Sequence, residues 1–202
     1  MHEEEGPKNR IELSHDDGFR KDEDDPNAAY VEWQGESAAH GQCVFYLHGA
    51  LHLFDAGPRL QKYTWVNTGQ ALIDQANEAL RRNFFPLFVA EGDSGSKLTK
   101  IQHSAYLHHC FKSFAGICNT QAREGTALFV HGHSFAKNDA HILNLIGKGK
   151  ISHVFISLHD DPTSKPNKAI RANVEQIAGL RTQRHLPLKI DYYDAATAKV
   201  WG

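Results

Sequence analysis

Two His-Gly pairs stand at the ends of apolar runs, in FYLHGALHLF at 45–54 and LFVHGHSFAKNDAHI at 128–142. Such a run, cut off by His-Gly, reads as a buried strand whose carboxyl end opens into a loop. In open α/β sheets ligands bind at that edge. His48 follows the run 43–47, where a neutral imidazole has the chemistry of a general base near pH 7. A loop histidine that only hydrogen-bonds a neighbour has the same sequence. Gly49 lets the backbone turn sharply and approach a ligand. His52, four residues after His48, would share a helix face with it and suit a metal. Gly49 and the preceding strand argue against a helix there, so His52 is expected to be structural or to support His48 from behind.

In the second junction Gly132 permits close approach, and Ser134 carries a hydroxyl suited to a phosphate or a ribose. Asp139 stands at the start of a predicted helix. It reads as a cap, as a partner for the helix dipole, or as an acceptor for a ligand hydroxyl. Glu91-Gly92 ends a further apolar run, and the stretch GDSGSK after it has a loose anion-binding composition. It lacks the GxxxxGK[ST] spacing of a P-loop. A turn before a helix capped by Ser94 or Ser96 explains it equally well. His103, His108 and His109 read as helix-face residues, His141 as a packing or surface residue, and no HExxH occurs. No metal ligand set is assigned.

These junctions need strands and helices to position them. Strands are predicted over 43–47, 59–66, 86–90, 126–130, 151–158 and 187–193, with AYVEW at 29–33 as a short edge strand. Helices are predicted over 68–84, with Leu72, Ile73, Ala76 and Leu80 inward and Thr68 as cap, and over 96–117. Further helices are predicted over 138–149, stopped by Gly147 or Gly149, and over 166–184, with proline in its first turn. Strands alternating with helices imply βαβ units and a mostly parallel sheet. Right-handed crossovers would gather 48–55, 91–97, 131–139 and 158–163 on one edge.

The chain has 202 residues and suits one domain of ordinary composition, 41% hydrophobic and 23% charged. Its net charge is -2, which gives no general attraction to nucleic acid or acidic membranes. Residues 1–25 hold ten acidic and four basic side chains, so the remainder is about +4. We therefore expect residues 1–40 to be an acidic tail, loosely packed over 1–27, ahead of an α/β domain over 41–202. Three cysteines without a CxxC pair argue against a disulfide framework and for the cytoplasm. No signal peptide opens the chain, and no apolar run approaches the roughly 20 residues of a membrane helix.

At this point the junctions carry a resemblance. YLHG at 46–49 resembles the catalytic-histidine segment of sirtuin-like NAD-binding proteins. LFVHGHSFAKNDAHI resembles the later motif of the bacterial sirtuin-like proteins, in which a strand runs into Gly-x-Ser, then an Asp, then a helix. Gly132, Ser134 and Asp139 fall on those positions. YLHGALHLF with VAEGDSGSKLTKIQHSAYL is similar to one uncharacterised bacterial branch, a domain of unknown function. The similarity covers roughly 30–160.

The resemblance implies a Rossmann-like, sirtuin-like fold, NAD as cofactor, and cleavage of the nicotinamide–ribose bond with His48 as general base. It implies cofactor binding by Gly49, Glu91, Gly92, Gly132, Ser134 and Asp139. By analogy alone it implies antiviral defence through NAD depletion. Nothing before His48 matches a strand followed by GxGxS, so the chain corresponds to the later two-thirds of such a protein. A complementing N-terminal chain or a homo-oligomer is then the expected partner. The zinc-ribbon CxxC pairs of protein deacetylases are missing, so deacetylation is not expected. Two alternatives stand beside this reading. A metal-dependent phosphoesterase is suggested by VHGHSF and by EGDSGSK as a fragment of GDxxD, although DxH and GNH[DE] segments are absent. A truncated, non-catalytic interaction module is the other.

Overall fold

The computed structural model describes residues 15–35, 42–57, 59–120, 127–181 and 187–199. It is mixed α/β, and its contacts divide the chain into two compact units, Met1–Phe88 and Val89–Gly202.

The first unit is built on an antiparallel sheet. Its strands are β1 (Phe19–Arg20), β2 (Tyr30–Trp33), β3 (Gly49–Asp55), β4 (Leu60–Tyr63) and β5 (Pro86–Phe88), in the order β1-β2-β4-β3-β5. Every neighbouring pair runs antiparallel. A tight turn joins β3 to β4, with Ala56 N donating to Arg59 O at 3.1 Å. Two helices, α1 (Trp65–Thr68) and α2 (Leu72–Arg81), carry the chain from β4 to β5. Because β3 lies between β4 and β5 and opposes both, those two strands run the same way, as in a split βαβ unit. The helical crossover is thus where the sequence places it, but the strand inserted between its ends makes the sheet antiparallel. A single, mostly parallel sheet is not what forms.

The apolar run 43–47 is not a strand. The N–H groups of Cys43 and Val44 both donate to Asp16 O, at 2.8 and 2.9 Å, and Gln42 Nε2 donates to Val44 O. The ladder begins two residues beyond the run, at Gly49. Residues 15–27, expected to be loosely packed, contribute β1 and the buried Phe19. Their acids pair with cations: Asp16 with Arg20, Asp17 with Lys62, and Asp22 with Arg59. Residues 1–14 and 36–41 lie outside the described residues. β2 is an interior strand, not an edge strand. In α2 the inward face is Gln75, Ala76 and Ala79, packed with Phe54 and Tyr63, while Ile73 is 62% exposed. Thr68 ends α1, and its Oγ1 accepts from Gln75 Nε2.

The second unit starts with α3 (Ser94–His103) and α4 (Ala105–Asn119). One helix was expected over 96–117. Ser104 divides it, leaving the helical region at φ -98°, ψ 125° while its hydroxyl accepts from Leu107 N. This is the competition between serine side chain and backbone that favours caps over helix interiors. β6 (Leu128–Val130), α5 (Ala140–Lys148), β7 (His153–Leu158), α6 (Lys165–Ala178) and β8 (Lys189–Asp194) follow. The strands form a parallel sheet in the order β6-β7-β8, so two βαβ crossovers succeed one another. Leu128, Val130, Val154, Ile156, Ile190 and Tyr192 alternate onto one face. They pack there against Leu143 and Ile146 of α5 and Val174 and Ile177 of α6. Fully burying each large apolar side chain stabilises by about 1.5–3 kcal/mol.

Arg181 closes the carboxyl end of α5. Its guanidinium donates to the carbonyl oxygens of Ile146 and Gly149, which a helix end leaves without partners, and to that of Ile151 just beyond. No described helix is long and apolar enough to cross a membrane.

Candidate functional site

A cavity of about 510 Å³ opens at the carboxyl ends of β6 and β7, within the size range of small-molecule sites. Residues 131–134 wall it on one side and 159–161 on the other. The first turns of α6 supply Ser164, Pro166, Asn167 and Ile170. The βαβαβ chain path brings these loops together, because parallel strands align their carboxyl ends.

Gly132 turns the chain at φ 68°, and no heavy atom lies within 4 Å of where a Cβ would sit. Its N–H donates to Ser157 Oγ at 2.9 Å, which ties the β6 loop to β7 and removes that N–H from ligand binding. His131 Nδ1 lies 3.3 Å from Tyr193 Oη, which itself donates to Val130 O. With the hydroxyl hydrogen directed to Val130, the network assigns the proton to His131 Nδ1 and leaves Nε2 as an acceptor.

His133 faces both ways along the loop. Its Nδ1 accepts from Phe135 N at 2.9 Å, and its Nε2 lies 3.5 Å from Asp139 Oδ2. Asp139 Oδ1 accepts from Lys97 Nζ at 2.8 Å, and the Lys97 side chain is 5% exposed. Asp139 makes no side-chain cap bond to α5. Its carboxylate neutralises a buried ammonium, which is costly to leave unpaired. Ser94 Oγ accepts from His141 N at 2.8 Å and lies 3.2 Å from His141 Nδ1, so His141 is a buried partner of α3.

The GDSGSK stretch is a turn and a cap. Asp93, rather than Ser94 or Ser96, accepts from Ser96 N at 2.9 Å and from Ser96 Oγ at 3.1 Å. Those bonds hold its carboxyl below the usual range. Glu91 is exposed, and Gly92 turns at φ 111° into that cap. Lys97 is committed to Asp139 and has no part in an anion-binding loop.

On the far wall, Asn167 is 2% exposed. Its Nδ2 donates to His159 O at 2.8 Å and Asp161 O at 2.7 Å, fixing the loop that follows β7. Asp161 accepts from Thr163 N and Oγ1, both at 2.8 Å, which holds its carboxyl below the usual range. Asp160 has a left-handed backbone at φ 56°, and its carboxylate meets His159 Nδ1 at 2.8 Å. Among the described residues, no lysine or arginine lines this cavity.

Of the residues singled out from sequence, Gly132 and Ser134 line the cavity. Asp139, Glu91 and Gly92 do not. His48 belongs to the first unit. It lies in the turn closed by Gly49 N donating to Tyr46 O at 2.9 Å, and it precedes β3 instead of ending a strand. The register Gly49↔Phe88 sets it at the edge where β5 ends. A Cβ on Gly49 would fall onto the Leu87 carbonyl oxygen, so this glycine serves strand approach. His52 lies within β3, edge-on to Tyr46 at 5.6 Å, and burial followed by the Lys62 charge lowers its pKa. Sequence reasoning missed Asp160, Asn167 and Tyr193. The HDD that follows the run 151–158 was the available signal for the first.

The fold and cavity define a two-unit α/β protein with a ligand-sized opening at a parallel-strand edge. A family model for a domain of unknown function (DUF4917) matches residues 3–201, and the chain belongs to that family. No curated protein matches it, and no solved structure does.

Proposed function

We propose that this chain is a cytoplasmic protein that binds NAD or a related nucleotide, holding the adenosine-side ribose in the cavity at the carboxyl ends of β6 and β7. The observation that carries this is the cavity's place in a βαβαβ unit, the position where open α/β sheets take ligands. The lining fits the sugar half of such a molecule. Gly132 leaves open space, Ser134 offers a hydroxyl, and Asp160 and Asn167 offer acceptors. The pyrophosphate has no lysine or arginine in this cavity, only the amino end of α6.

The finer reading is hydrolysis of the nicotinamide–ribose bond. Nicotinamide leaves as a neutral molecule, a water oxygen bonds to the ribose C1′ and gives up a proton, and His48 serves as general base on a ribose hydroxyl. The support for this reading is the resemblance of the YLHG segment alone. Bound NAD would supply a ribose carbon whose bond to nicotinamide is already activated. A part in antiviral defence is supported by the sequence resemblance alone.

Calorimetric titration of the chain with NAD and ADP-ribose tests the binding. Ser134→Trp, at an exposed position lining the cavity, should weaken both ligands at least tenfold. His48→Ala should slow any NAD consumption by about 10²–10⁴ while leaving binding intact. Absence of binding by either ligand, or binding unchanged by Ser134→Trp, contradicts the reading.

A further inference from the structure

We propose that the cavity selects a ribose with a free 2′-hydroxyl and rejects a 2′-phosphate, with Asp160 and Asn167 as the selecting residues. This rests on the nucleotide reading above and names the class of nucleotide.

Asn167 carries the first part. It is 2% exposed and lines the cavity. Both hydrogens of its Nδ2 are engaged by His159 O and Asp161 O. Its Oδ1 has no partner among the described residues, so the one thing this buried side chain can offer a ligand is an acceptor. Oδ1 is not among the fully enclosed unpaired atoms; it keeps access to the cavity, where a sugar hydroxyl supplies the matching donor. A phosphate oxygen supplies none.

Charge carries the second part. Asp160 stands two residues beyond the end of β7, with its side chain 81% exposed, and Asp161 lies beside it. Both line the cavity. Of the histidines there, His133 has its two ring nitrogens directed to Phe135 N and Asp139. Of the other two, His159 already meets Asp160 and His131 Nδ1 lies 3.3 Å from Tyr193 Oη. A phosphate on the ribose would therefore face carboxylates and an acceptor amide, with no lysine or arginine among the described lining residues to receive it. A vicinal diol would meet the same groups as a donor. An acidic residue at the end of the second strand of a βαβ unit is also where dinucleotide sites commonly hold the ribose diol.

The test is calorimetric titration of the full chain with ADP-ribose and with its 2′-phosphorylated analogue, repeated on Asp160→Asn. Asparagine tolerates the left-handed backbone of this position, and a thermal melt confirms folding. We expect the wild-type chain to bind ADP-ribose at least tenfold more tightly, about 1.4 kcal/mol. In Asp160→Asn the gap should fall below about threefold. Equal binding of the two ligands by the wild-type chain, or a gap unchanged by Asp160→Asn, overturns the selection while leaving the nucleotide reading standing. Binding of neither ligand rejects both.

Discussion

The two units hold themselves together by different means. In Val89–Gly202 a parallel sheet buries one face against α5 and α6, and nine buried side chains form one core cluster. In Met1–Phe88 a smaller cluster of Phe54, Ala76 and Ala79, with Tyr63 against it, stands beside the separately buried Phe19 and Leu53 among the described residues. Trp65, Val66, Ile73 and Phe85 there remain largely exposed. Ion pairs at the sheet margin make up part of the difference: Lys62 with Asp17, and Arg59 with Asp22 and the buried Glu32. One sheet therefore rests on apolar burial and the other more on charge, which makes them differently sensitive to truncation and to pH.

The largest expected effect is in the second unit. Ile156 is 1% exposed, so Ile156→Ala should destabilise this unit by about 2–5 kcal/mol, read as faster amide exchange in β7. An equal loss from Ile73→Ala on the exposed side of α2 would erase the contrast. Next, Arg181→Met leaves three carbonyl oxygens without their donor and should cost about 2–3 kcal/mol, measured by urea denaturation. An unchanged midpoint would show that the α5 end needs no cap.

In the first unit, Arg59→Met leaves the Glu32 carboxylate buried and unpaired. Arg59 is itself half-exposed, so solvent screening should keep the loss below that of Arg181→Met. Glu32→Gln in the same chain should restore part of it. The smallest effect is on pH. Bonds from His153 and then Lys189 hold the Asp191 carboxyl below its usual range. A depressed carboxyl stabilises above its unfolded pKa, about 3.9, and that contribution is lost as pH falls through the folded value. Asp191→Asn should therefore lower the stability of β7–β8 by a constant amount near pH 7, where the carboxylate is fully charged, and flatten the curve below about pH 4.

Legibility in the sequence followed the same division. The run before His131 and the run 151–158 are strands close to where their apolar residues lie, because both pack directly on helices that the sequence also marks. The run 43–47 is as apolar, yet Asp16 O takes its N–H groups, and a residue 27 positions away leaves no local trace. Gly49 reads as a ligand-facing turn, but its lack of a side chain is needed by Leu87. Asp139 was visible as an acid at a helix start. Its partner Lys97 was visible only as part of an anion-binding composition, because an ion pair spanning 42 residues has no sequence signature. Asn167 acts through the direction of one amide, which tertiary contacts alone determine.

The central claim is that a nucleotide enters the edge of β6–β8. Hydrogen exchange of the full chain with and without saturating ADP-ribose tests it most directly. The account predicts slowed exchange in 131–135 and in 159–170, with little change in β1–β2. Protection absent from both segments at a concentration where binding is saturated would contradict it.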